Sequence, residues 1–149
     1  MNRLMGRNRA IGLFGLRVVI GCLSAQIGMF KLFIDGLQAQ MVWFEKLSGW
    51  FPQWLLWSTN VYAAVVEFVG GLMLVFGIKR DWALAGILSV LVIVNFGHGF
   101  EGAVWDIQQL VFRLAMIVAL LLLPEEWDVL RVDRWRDAKI MFSPSAGER

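Results

Sequence analysis

The amino-acid sequence predicts an all-α membrane protein, a bundle of four transmembrane helices with both termini in the cytoplasm. The 149 residues are 58% hydrophobic and 17% charged, whereas an average soluble domain is about half apolar and a quarter charged. Four apolar runs approach the roughly 20 residues that a membrane helix needs. Lys and Arg residues collect at the two termini and in the connection between the second and third runs. The positive-inside rule therefore predicts that both termini face the cytoplasm.

The predicted organisation is a basic N-terminus over residues 1–10, a membrane domain over residues 11–124 and an amphipathic cytoplasmic tail over residues 125–149. The four helices are expected at residues 11–33, 59–78, 82–100 and 107–124. Residues 34–58 form an outer segment rich in Trp and Phe. This composition fits either a segment lying in the headgroup region or a cap folded over the bundle.

The first predicted helix carries small and cationic residues at steps of four, three, four and three. They are Arg17, Gly21, Ser24, Gly28 and Lys31. Such spacing places them on one helical face. Small residues on a membrane helix allow close approach of a neighbouring backbone. The face is either a packing seam with a charge at each end or part of a chemical site.

The second predicted helix places one carboxylate, Glu67, inside an apolar run. A charged group at this depth costs about 2.5–3.5 kcal/mol on insertion scales, so it persists only where it is paired or functional. Gly70 and Gly71 share its small-residue face, which is expected to look into the bundle, and Gly77 precedes a short turn to Arg80. We assign Gly70, Gly71, Gly77 and Arg80 structural roles.

The depth of each polar group follows from the helical rise of 1.5 Å per residue. Glu67 and Arg113 each lie roughly 16 Å above the inner boundary, and Arg17 lies roughly 9 Å above it. The sequence therefore predicts a Glu67–Arg113 ion pair, with Arg17 reaching upward as a second cation. The surplus positive charge would suit an anionic ligand or a second acid. The alternative is a buried pair that only joins two helices.

Lys31, Asn95 and His98 are expected together near the outer end. His98 is either a solvated histidine at a helix end or a group that relays protons to a quinone carbonyl together with Glu67. Arg17, Lys31, Asn95 and Arg113 would bind ligand or balance charge. The only histidine and the only cysteine in the chain argue against His-pair haem ligation, a thiolate cluster and a conventional zinc site.

Two sets of residues resemble the DoxX family. In the first helix they are Arg17, Gly21, Gly28, Lys31 and Leu32. In the second they are Glu67-x-x-Gly70-Gly71-x-x-Leu74-x-x-Gly77-x-x-Arg80, with His98 about thirty residues after the acid. The resemblance covers the chain from about Arg17 to Pro124. It implies a four-helix protein of the bacterial inner membrane associated with redox systems, with functional positions at Arg17, Lys31, Glu67, Arg80 and His98.

The expected function is a quinone-interacting or membrane-docking subunit for an oxidoreductase. A quinone is the cofactor considered, and the expected partners are the lipid bilayer, an oxidoreductase and further copies of the chain, but not nucleic acid. The question of enzymatic activity stays open, and a non-catalytic subunit fits the sequence. The alternatives are a structural or assembly protein without its own ligand, and a small-solute carrier, which the lack of an inverted repeat disfavours.

Overall fold

The computed structural model describes residues 2–101 and 108–134, and within those residues every regular element is helical. The α-helices are α1 (Asn2–Met29), α2 (Gly36–Glu45), α3 (Gln53–Phe76), α4 (Arg80–Glu101) and α5 (Gln108–Leu122). A π-helical segment, Phe30–Ile34, continues α1, and a 3-10 turn, Glu125–Trp127, follows α5. Residues 102–107, which include most of the predicted connection between the third and fourth helices, and the tail beyond residue 134 lie outside the described residues.

Within the described residues, three helical stretches are long and apolar enough to cross a membrane. They are Arg7–Ile34, Gln53–Phe76 and Arg80–Phe100. A fourth apolar stretch, Leu110–Leu122, is shorter. The prediction of an all-helical membrane protein is therefore confirmed.

The helix ends differ from those predicted, because local turn chemistry decides them rather than hydropathy. α3 begins directly after Pro52, whose backbone is extended, well before the predicted start at residue 59. It ends at Gly77 in the left-handed conformation, with φ of 68°. There the Ile78 N–H donates to the Met73 carbonyl at 2.8 Å, which is the Schellman arrangement that glycine favours.

Helices α1 and α3 pack antiparallel with their backbones almost in contact. A Cβ built on Gly28 would lie 2.3 Å from the Phe68 nitrogen, and one built on Gly71 would lie 2.2 Å from the Ala25 nitrogen. Only glycine fits at such distances. The small-residue faces predicted on both helices therefore meet each other.

The apolar core lies where α1, α3, α4 and α5 meet. Its fully buried members include Ile20, Leu74, Leu84, Ile87 and Ile117. Large apolar side chains such as Trp82 and Leu122 point outward. This outward display of apolar surface is what a lipid-facing bundle requires.

The outer segment contains a helix, α2, that the sequence did not predict. Met41, Leu47 and Leu56 form a second small apolar core beneath it. The Trp43 ring lies against His98 at 4.4 Å, and Phe51 lies edge-on to Phe100 at 5.2 Å between ring centroids. The segment packs on α3 and α4, which agrees with the alternative of a cap folded over the bundle.

A buried carboxylate held by two cations

Glu67 lies at the centre of the candidate site, and its side chain is only 1% exposed. Lys31 Nζ donates to Oε2 at 2.6 Å, and Arg113 Nη2 donates to Oε1 at 2.9 Å. Each carboxylate oxygen therefore receives a charge-assisted hydrogen bond, the stronger kind in a protein interior. Three elements meet here, since Lys31 belongs to the π-helical segment and Arg113 to α5.

The charges of this group do not cancel. Two cations meet one carboxylate, which leaves a formal surplus of one positive charge. Lys31 and Arg113 are 19% and 15% exposed, respectively, whereas Glu67 is closed off. The site is thus open on its cationic side, the side from which an anion or an electron-rich oxygen would approach.

The predicted Glu67–Arg113 ion pair is present, but the prediction for Arg17 was wrong. The second cation on Glu67 is Lys31, which the sequence placed with the outer groups. Gly28 of α1 lies against Ala64 and Phe68 of α3, and this register puts Lys31 about one turn above Glu67. A lysine stem is long enough to cover that distance.

Arg17 instead lies at the opposite end of the bundle from α2 and is completely buried. Its Nε is 3.1 Å from the carboxylate of Asp128, and its Nη2 donates to the Leu130 carbonyl at 2.6 Å. It also donates to the Leu74 and Val75 carbonyls at the end of α3. Arg17 therefore binds carbonyl groups at the C-terminus of α3, and a helix C-terminus carries partial negative charge.

Arg80 completes this second cluster. It lies 3.9 Å from Asp128 and donates to the carbonyls of Leu120 and Leu123 at the end of α5. Sequence reasoning missed Asp128, because an acid beyond Pro124 was assigned to the amphipathic tail. The signal that points to it is Arg17 itself, since a buried arginine needs a carboxylate at the same end of the bundle.

The three glycines assigned structural roles lie at close contacts. Gly71 faces α1, and a Cβ on Gly70 would lie 3.2 Å from the Ile87 side chain of α4. A Cβ on Gly77 would lie 2.7 Å from Arg17 Nη1. Gly71 and Gly77 therefore both border α1, whereas Gly70 borders α4.

His98 and Asn95 are not brought into the Glu67 group. Asn95 is exposed on α4, and His98 packs against Trp43. Among the described residues, no three His, Cys, Asp or Glu side chains are grouped as a metal ion would require.

An apolar cavity of about 160 Å³ lies between the segment that contains α2, helix α3 and helix α4. Aromatic rings from α2 and α4 line it, among them Trp43, Phe44 and Phe96, and Ala63 forms part of its wall. Ala63 and Glu67 are one turn apart on the buried face of α3, about 6 Å along the axis. The cavity and the buried carboxylate are thus neighbours on one helix face.

Comparison with known proteins places this arrangement in a family. The DoxX family model matches residues 12–99, a range that includes Arg17, Lys31, Glu67 and His98 but ends before Arg113 and Asp128. No curated protein and no solved structure matches the chain. Because the family model covers more than half of the sequence, the protein belongs to the DoxX family.

Proposed function

We propose that this protein is a membrane subunit that holds a quinone for a redox system, next to the Glu67 group. The proposal rests on one observation: a buried carboxylate that binds two cations lies one helical turn along α3 from an aromatic cavity. In the proposed topology the chain crosses the bacterial inner membrane four times, with both termini in the cytoplasm. An oxidoreductase partner supplies the electrons.

The cavity suits a flat, apolar ring. Its lining is almost entirely apolar, and Trp43, Phe44 and Phe96 present rings against which a quinone could stack. Leu55 and Ile93 are partly exposed on the outside of the bundle and also line the cavity. An isoprenoid tail would leave between them into lipid. Ligand pockets of this kind are mostly apolar with a few polar groups that fix orientation.

A bound quinone supplies two-electron, two-proton redox chemistry. Lys31 and Arg113 would stabilise negative charge on a carbonyl oxygen, because cations fixed in a site of low dielectric act strongly on such charge. Glu67 holds both cations in place and is one group for handling protons. His98, which packs against Trp43 of the cavity lining, is the other. Asn95 is exposed on α4, outside this arrangement.

The experiment is a calorimetric titration of purified protein with a short-chain ubiquinone. Ile93→Trp fills the cavity from the lipid side and should weaken binding at least tenfold. Val92→Trp adds the same bulk one residue away, on an exposed position outside the cavity, and should bind as wild type does. Equal binding by both variants would contradict the location of the site.

The role of Glu67 has a separate test. Tagged wild type and Glu67→Gln, matched for abundance, are purified in mild detergent and scanned for quinone and co-purifying oxidoreductases. We expect both to be lost in Glu67→Gln only. Quinone retained equally by the two proteins would remove Glu67 from the ligand site. Empty protein in both cases would favour the structural or assembly role, in which the ion pairs only join helices.

A further inference from the structure

We propose that a second site, at the opposite end of the bundle from α2, binds an anionic phospholipid. A groove of about 560 Å³ lies between the start of α1 and the segment after α5. Arg7 and Ile11 line it on one side. Trp127, Val129 and Leu130 line the other, with Glu126 at the same wall.

The charges around the groove favour an anion. Arg7 is exposed, and the Arg9 guanidinium lies over the Trp127 ring at 4.5 Å. A guanidinium stacked in this way keeps its N–H groups at the ring edge, free to bind phosphate oxygens. Among the described residues that line the groove, Glu126 is the one acid. Two cations against one carboxylate leave a positive site, and Arg–phosphate contacts are often bidentate.

The apolar wall distinguishes a lipid from a free phosphate. Ile11, Val129 and Leu130 are all exposed, next to the charged end of the groove. Arg7 and Arg9 directly precede the apolar run of α1 that begins near Ile11, and cations next to a membrane helix are expected at the depth where headgroups meet acyl chains. A phospholipid offers both a phosphate for Arg7 and Arg9 and chains for the aliphatic wall.

The test is native mass spectrometry of the full chain in detergent, with dioleoyl phosphatidylglycerol and dioleoyl phosphatidylcholine added at equal concentration. We expect at least a fivefold preference for phosphatidylglycerol in wild type. Arg7→Gln and the double variant Arg7→Gln/Arg9→Gln should bring the ratio close to one. Lys79→Gln removes the same charge from an exposed position outside the groove and should keep the preference.

Two further measurements identify the ligand class. Leu130→Gln should lower retention of both lipids, since it removes apolar wall but not charge. Glycerol phosphate should fail to compete with phosphatidylglycerol at the same concentration. A wild-type ratio of one, an equal loss in Lys79→Gln, or full competition by glycerol phosphate would each overturn the proposal.

Discussion

Lys31 Nζ lies 2.6 Å from Glu67 Oε2 and holds one oxygen of the carboxylate, while Arg113 holds the other. The acid is therefore shared rather than paired. Removing either cation leaves a neutral pair, whereas removing the acid leaves two cations facing each other. Variants that remove a cation and variants that remove the acid should therefore differ in stability.

Glu67→Gln should destabilise the protein much more than Lys31→Met does. A buried charge that loses its partner typically costs about 3–5 kcal/mol, and partial exposure of the two cations reduces this to about 1–3 kcal/mol. Thermal unfolding in detergent, followed by tryptophan fluorescence, shows which of the two variants has the lower Tm. The double variant Glu67→Gln/Lys31→Met should recover part of the lost Tm. A Lys31→Met protein as unstable as Glu67→Gln would contradict the shared-acid arrangement.

Gly28→Ala should separate α1 from α3. The added methyl would lie 2.3 Å from the Phe68 backbone nitrogen, which cannot rotate away as a side chain could, so the cost is at least the 1–3 kcal/mol that is typical of overpacking. Gly15→Ala is the matched control on the same helix, where a Cβ meets nothing within 4 Å. There alanine should be neutral or stabilising by up to about 1 kcal/mol. Similar unfolding temperatures for the two variants would argue against the close helix contact.

Asp128→Asn should loosen the end of the bundle where Arg17 is buried. The change keeps the shape of the side chain but leaves two buried guanidinium groups without their shared carboxylate, at a cost of about 3–5 kcal/mol. Asp81→Asn is the control, because the Asp81 side chain is 65% exposed and makes only a long contact, 3.9 Å, with Arg80. This substitution should change the free energy of unfolding by no more than about 0.5 kcal/mol. Limited proteolysis after Pro124 should accelerate in Asp128→Asn alone.

Gly77→Ala should cost more than Gly36→Ala, although both glycines have a positive φ. Alanine pays about 1–2 kcal/mol for the left-handed conformation at either position. At Gly77 the methyl would also meet the Arg17 guanidinium at 2.7 Å, whereas at Gly36 it meets nothing within 4 Å. The Cβ would also lie 3.0 Å from the Arg131 Cα, so the difference in Tm between the two variants measures the contacts with Arg17 and Arg131 together. Equal losses would mean that both neighbours move aside freely.

Helical periodicity and residue counting predict the part of the site built on regular helices. The α3 face bearing Ala64, Glu67, Gly71 and Leu74 is buried as expected. Glu67 and Arg113 meet because both lie the same number of residues from the C-terminal end of their helix, Phe76 in α3 and Leu122 in α5. In a regular helix the rise and the rotation per residue are constant, so the position of a side chain can be predicted from residue counts alone.

Irregular backbone and long-range pairing account for what the sequence did not predict. The π-helical segment contains Lys31 and changes the helical phase there, and no composition signal marks it. Helix α2 lies in a stretch whose Trp and Phe residues read equally well as interfacial anchors. The Arg17–Asp128 pair joins two distant parts of the chain through a turn, and neither hydropathy nor spacing encodes such a contact.

The distance along the chain between Arg17 and Asp128 also imposes an order of assembly. The ribosome makes α1 well before the segment that carries Asp128, so the Arg17 guanidinium enters the membrane long before its carboxylate exists. Until then it has only backbone carbonyls, lipid phosphates or water as partners. Closure of this end of the bundle therefore waits for the segment that carries Asp128, and α1 is held in place by a part of the chain that is synthesised long after it.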